Sequence, residues 1–171
     1  MRKYVIDKIS SDLLNFFRLP LEVRHCSLDL SSFYNPDRRQ YDANLILKKI
    51  SELAPAGAYR TMGLLRVDLF IPILTYIFGQ SFLNGSTGIV SLYRLRNELY
   101  GLPQDDRLLT ERFRKVIIHE LGHSFGLIHC LNPSCIMRSS TYVEDLDQKK
   151  LEFCNKCAKG LDERIRIQLT K

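Results

Sequence analysis

The sequence predicts an α/β domain on a mixed, twisted sheet, with one long amphipathic helix and a small cysteine-rich part at its C-terminal end. Three observations lead there. Strand-like apolar runs alternate with helical periods through the first half of the chain. A helix carrying two histidines follows. Beyond it the sequence turns to Cys, Ser, Asn and charged residues, with few groups able to build a core of their own.

The elements are expected in the following order. Lys3–Ile9 is expected as a strand, and Ser10, Ser11 and Asp12 then cap a short helix through Leu19, stopped by Pro20. Leu21–Leu30 alternates imperfectly and suggests a strand in which His25 is half-buried and Cys26 is an inert core thiol. Asn35-Pro36-Asp37 is expected to start a helix carried by Tyr41, Leu45, Ile46 and Ile50 and closed by Pro55 and Gly57. Met62–Phe70, Leu74–Phe78 and Gly88–Leu95 are expected as strands, the second an exposed edge able to pair with an extended peptide. The long helix begins near Asp105–Asp106, with Leu108, Leu109, Phe113, Val116, Ile117 and Leu121 on its apolar face.

A length of 171 residues suits one compact domain, and no repeat or linker divides it. Two parts are expected within it: 1–126 with the sheet and long helix, and 127–171 with the cysteines. Hydrophobic residues at 45% and charged residues at 26% are ordinary for a soluble protein. The net charge of +6 comes from Lys and Arg interleaved with Asp and Glu, without a basic run, so no nucleic-acid partner is expected. Asp7 and Lys8 interrupt any signal-like apolar stretch, and Arg66, Asp68 and Pro72 interrupt Leu64–Phe78, so no membrane partner is expected either. A soluble, cytoplasmic monomer is the expectation.

His119-Glu120-Leu121-Gly122-His123 places two histidines one turn apart on one helix face, where both imidazoles can reach a single zinc at about 2.0–2.1 Å. Glu120 lies beside that face, positioned to act as a general base rather than a ligand. HExxH alone is a weak signal, because core histidines on an amphipathic helix produce it too. The continuation Ser124-Phe125-Gly126-Leu127-Ile128-His129 strengthens it. An uninterrupted helix would carry His129 roughly 15 Å along the axis from His119. Gly126 can take positive φ, end the helix and return the chain beneath it, so His129 becomes the third ligand and one position stays open for catalysis.

Of the five cysteines, Cys130, Cys135, Cys154 and Cys157 crowd the last quarter. The CxxC at 154–157 suits one side of a tetrahedral metal, and Cys130 with Cys135 can close the other into a structural zinc site. Two disulfides or four buried thiols are the alternatives. Met137 by itself would mean core packing. Downstream of HExxHxxGxxH, a methionine turn beneath the histidines marks the metzincin peptidases.

Taken together, HELGHSFGLIHC, the gap to Cys135, Met137 two residues on, and Cys154-Asn155-Lys156-Cys157 resemble the archaemetzincin family. The resemblance covers residues 119–157. It implies a zincin-like (metzincin) fold and a zinc metallopeptidase that hydrolyses peptides, in an aminopeptidase-like manner on short ones. It implies two zinc ions per chain, a catalytic one on His119, His123 and His129 and a structural one on Cys130, Cys135, Cys154 and Cys157. It further implies Glu120 as catalytic base and Met137 as the Met-turn residue. Some metzincins carry a tyrosine ligand two residues after the Met; that position is Ser139 here, and Tyr142 is given no metal role. The rival reading is a non-catalytic two-zinc module acting through a protein partner. Glu120 argues against it, because a structural three-histidine site needs no carboxylate beside its first ligand.

Overall fold

The computed structural model describes residues 3–169. It opens with a helix, α1 (Lys3–Phe17), where a strand and a shorter helix were expected. Val5, Ile9, Leu13 and Phe17 recur every four residues and bury one face, and that period outweighs the β-branched start. The buried Asp12 on the same helix takes a bidentate pair from Arg114, at 2.6 and 2.7 Å. Residues 18–30 then run without regular structure and largely exposed. The expected strand at Leu21–Leu30 is absent because no partner strand covers it. Cys26 and His25 are both exposed, neither core thiol nor half-buried histidine.

A tight antiparallel pair follows, β1 (Tyr34–Asn35) and β2 (Gln40–Asp42), around a turn in which Asn35 Oδ1 accepts from the Arg38 N–H. That side-chain bond makes Asn35-Pro36-Asp37 a turn rather than the expected helix start. The helix α2 (Ala43–Glu52) instead begins after Asp42, whose carboxylate accepts from the N–H groups of Asn44 and Leu45. The expected strand Met62–Phe70 is two strands, β3 (Thr61–Leu65) and β4 (Leu69–Ile71), in different sheets. Asp68 between them is buried and bound by Arg94, which turns the chain from one sheet into the other.

The next segment bends once more, into β5 (Leu74–Ile77) and β6 (Gly79–Ser81), followed by β7 (Thr87–Ser91). One sheet has the order β1-β2-β4-β5, the other β3-β7-β6, each with a parallel and an antiparallel component. β7 is buried along its whole length. Ile89 packs with Ala43, Ile46 and Leu47 of α2, and Val90 faces the other side. That side is covered by α3 (Asp106–Ser124), which begins where expected with Asp105 capping Leu108 N–H at 2.8 Å. The expected strand Gly88–Leu95 stops at Ser91 and continues as a 3-10 turn at Tyr93–Leu95.

Below α3 lie two helices not read from the sequence, α4 (Val143–Gln148) and α5 (Asn155–Leu169). They give the lower part the core that its composition seemed to deny it. Val143, Leu146, Cys157, Leu161 and Ile165 join Ile136 and Met137 in one buried cluster that reaches back to Val5 of α1. No helix among the described residues is long and apolar enough to cross a membrane.

One buried ion pair ties α4 to α3. Arg112 donates to both oxygens of Asp147, at 2.6 and 2.8 Å, and to Leu95 O and Asn97 Oδ1. Its side chain is 4% exposed, so losing the carboxylate leaves a buried, uncompensated charge. Asp147→Ala should therefore lower stability by about 3 kcal/mol, read by denaturant unfolding.

Candidate metal centre and active site

The site is built at the C-terminal end of α3. Phe125 caps the helix and Gly126 takes φ 91°, a left-handed conformation that favours glycine. Gly126 N–H bonds to His123 O at 2.7 Å and Leu127 N–H to Gly122 O at 2.9 Å, the paired closure of a Schellman turn. The chain then doubles back, and His129 arrives under the helix. Its ring centroid lies 5.3 Å from that of His119 and 4.9 Å from that of His123. One candidate ligand atom from each of the three histidines lies within 4.8 Å of the others.

The tautomers follow from the outer hydrogen bonds. His119 Nδ1 donates to Ile136 O at 2.8 Å, and His123 Nδ1 to Leu127 O at 2.7 Å. A carbonyl can only accept, so both Nδ1 atoms carry the proton and both Nε2 atoms present lone pairs. Those Nε2 atoms face each other at 3.0 Å. Two acceptors at that separation repel unless a cation lies between them. Nitrogens about 2.05 Å from a tetrahedral zinc would stand about 3.3 Å apart, so the donor set fits that ion. Burial, reinforced by the nearby Lys149 ammonium, holds His119 well below the ordinary imidazole range, and burial also lowers His123 and His129. The rings are thus neutral, as ligands must be.

Glu120, next to His119 on the helix, packs against the Gly79–Ser81 strand. It is 6% exposed, and Ser81 Oγ donates to its Oε2 at 3.0 Å. Burial pushes its carboxyl up to about 8, against the opposing pull of the Ser81 hydrogen bond and the Lys149 charge. The strand above it is β6, an edge of its sheet. β5 is an edge too, but its Leu74 and Thr75 carbonyls accept from Arg38, and that of Thr75 also from Gln40. Gly79 of β6 is required here: a Cβ at that position would stand 2.8 Å from Ile89 O and 2.9 Å from Glu120 Cγ.

Met137 lies directly beneath the helix. It is fully buried, and a Cβ on Gly122 would come within 2.4 Å of its sulfur. The glycine inside HELGH is therefore what lets the methionine turn approach the two histidines. Met137 O accepts from Cys130 N–H at 2.9 Å, which closes the loop between the histidines and the cysteines.

Cys130, Cys135, Cys154 and Cys157 form the second group, with sulfurs within 4.8 Å of one another. The Sγ atoms of Cys130 and Cys154 are 3.8 Å apart, far from the roughly 2.05 Å of a disulfide. Two thiolates on a tetrahedral zinc stand about 3.8 Å apart at 2.3 Å bond lengths. Backbone N–H groups also point at the sulfurs, Asn132 at Cys130 and Cys154 at Cys135. Hydrogen bonding, first from the Cys157 backbone, lowers the Cys154 thiol to about 7.

All eight residues expected to hold metal or act as base thus fall into two clusters with the glutamate beside the first, and Met137 lies where a Met-turn residue would. Ser139 and Tyr142 contribute nothing to either cluster. Three participants have no sequence signal: Ser81, Gly79 and Lys149. Lys149 is 3% exposed, and burial lowers its ammonium to about 8.

The chain is similar to known peptidases in sequence and in structure. The family model described as peptidase family M54 matches residues 18–163. An archaemetzincin from Thermococcus kodakarensis is 41% identical over 144 residues, covering 84% of this chain and 77% of that one. Among solved structures, a zinc-dependent peptidase from Methanocorpusculum labreanum superposes with TM-score 0.82 at 31% identity, covering 92% of this chain and 93% of that one. The archaemetzincin from Methanopyrus kandleri gives TM-score 0.83 at 30% identity, covering 95% and 87%. Fold and site together define a zinc metallopeptidase with the zincin-like architecture. The chain belongs to peptidase family M54, the archaemetzincins.

Gly79→Ala should push Glu120 out of line at a cost of about 1–3 kcal/mol, because Ile89 O is backbone and cannot yield. Denaturant unfolding should register that loss, and peptide hydrolysis should fall with zinc content unchanged.

Proposed function

We propose that this chain hydrolyses peptide bonds with zinc held by His119, His123 and His129 and with Glu120 as general base. A second, structural zinc sits on Cys130, Cys135, Cys154 and Cys157 in this reading. The observation that carries it is the pair of lone-pair-bearing Nε2 atoms aimed at each other, with His129 closing the third side. Zinc bound there would polarise the scissile carbonyl and activate the attacking water.

Glu120 accepts the proton of that water and returns it to the leaving amine. Burial raises the Glu120 carboxyl to about 8 in the metal-free site, and a dication bound at the histidines would lower it again towards the carboxylate that accepts the proton. Ser81 fixes which oxygen faces the reaction, since its hydroxyl occupies Oε2 and leaves Oε1. The substrate lies extended along the free β6 edge, with its carbonyl over the histidines. Short peptides cut in an aminopeptidase-like manner are the substrate class that accompanies this family reading, and the chain acts as a monomer.

The test is hydrolysis of a mixed peptide library by the wild type and Glu120→Gln, with metal content measured in both. The wild type should carry two zinc ions and cleave. Glu120→Gln should keep both ions and lose cleavage by several orders of magnitude. Near wild-type cleavage by Glu120→Gln would sink the assignment of the base.

A further inference from the structure

A buried charged group outside the proposed chemistry is the ammonium of Lys149, 3% exposed. No carboxylate lies within ion-pair distance of it among the described residues. It donates instead to two backbone carbonyls of the methionine turn, Ile136 O at 3.4 Å and Arg138 O. The chain delivers it there firmly. Lys150 N–H bonds to Ser134 O at 3.1 Å and Ile136 N–H to Glu152 O at 2.8 Å, so residues 150–152 run alongside 134–136.

Ile136 O is also the oxygen that accepts from His119 Nδ1. One carbonyl is therefore shared by the buried ammonium and a histidine of the metal centre, each using one of its two lone pairs. Of the carbonyls of residues 136–138, that of Met137 accepts the Cys130 N–H, whereas those of Ile136 and Arg138 are held by side-chain donors. Asp145 and Glu120 offset part of the cost of burying the charge, but neither forms an ion pair with it, and an apolar side chain would fill the same space without that cost. Stability alone does not explain a lysine here.

We infer that Lys149 is a positioning residue of the histidine site, its ammonium fixing the Ile136 carbonyl that orients His119. This rests on the reading of the histidines as a metal site. Lys149 touches neither ligand nor substrate; it acts through the turn. Without it, Ile136 O loses one of its two donors, and the carbonyl that aims the His119 Nε2 at His123 is held less firmly.

The test compares wild type, Lys149→Met and Lys149→Gln, so that a folding failure of the apolar variant leaves the polar one to read. Zinc affinity at each site is measured by chelator competition, and the Nδ1–H protons of His119 and His123 are followed by NMR. Both variants should keep the cysteine-bound zinc while affinity at the histidines falls about 10–100-fold, the usual cost of losing an outer partner of a metal ligand. The His119 Nδ1–H signal should be lost to exchange while that of His123, held by Leu127 O, persists. Unchanged affinity with both signals retained overturns the inference, and so does loss of both metals together. A wild type that takes up no metal at its histidines overturns this inference and the reading beneath it alike.

Discussion

A helix can present two imidazoles to one ion, one turn apart, and no more; the third must come from somewhere else. In this protein everything beneath α3 follows from that constraint. Gly126 ends the helix at φ 91°, and the same turn that returns the chain also provides Leu127 O, which sets the tautomer of His123. A Cβ on Gly126 would also meet the Arg164 guanidinium of α5 at 2.5 Å, but that flexible, exposed end can move aside, so the positive φ is what makes the position glycine's. One turn thus ends the helix, orients a ligand already in place and delivers the next one.

His129 reaches the site on a segment with no regular structure, so its position depends on what holds the lower part. Three devices share that work. Met137 is wedged beneath Gly122 and bonded to Cys130 N–H; the Arg112–Asp147 pair anchors α4; and α5 packs Leu161 and Ile165 into the main core. The cysteine cluster is the fourth and the nearest, because Cys130 follows His129 directly. Structural zinc on four thiolates contributes folding free energy on the order of 10 kcal/mol in small peptides, more than any one packing contact between these elements would supply.

The site was legible in the sequence because its information is local. HExxH brings two histidines together by the helical period, Gly126 marks the turn, and the CxxC sets two of the four clustered sulfurs by its spacing. The sheet was much less so. Strands of three residues such as β4 and β6 carry too little alternation to be read, and β6 matters most because it stands over Glu120. The opening of α1 reads as β-branched until Phe17 completes its four-residue period. Asn35-Pro36-Asp37 offers both a helix start and a turn, and only the pairing of β1 with β2 decides between them. Ser81, Gly79 and Lys149 act through contacts made across the fold, and no local pattern announces them.

The central claim is that the two ligand clusters are mechanically one unit, joined at the His129–Cys130 bond. The most direct measurement is zinc affinity at the histidines in Cys157→Ser, a substitution 28 residues along the chain from His129. The cysteine-bound zinc should be lost and histidine-site affinity should fall at least tenfold, with the C-terminal quarter opened to proteolysis. A variant that loses the cysteine-bound zinc yet binds zinc at its histidines as tightly as the wild type would contradict it.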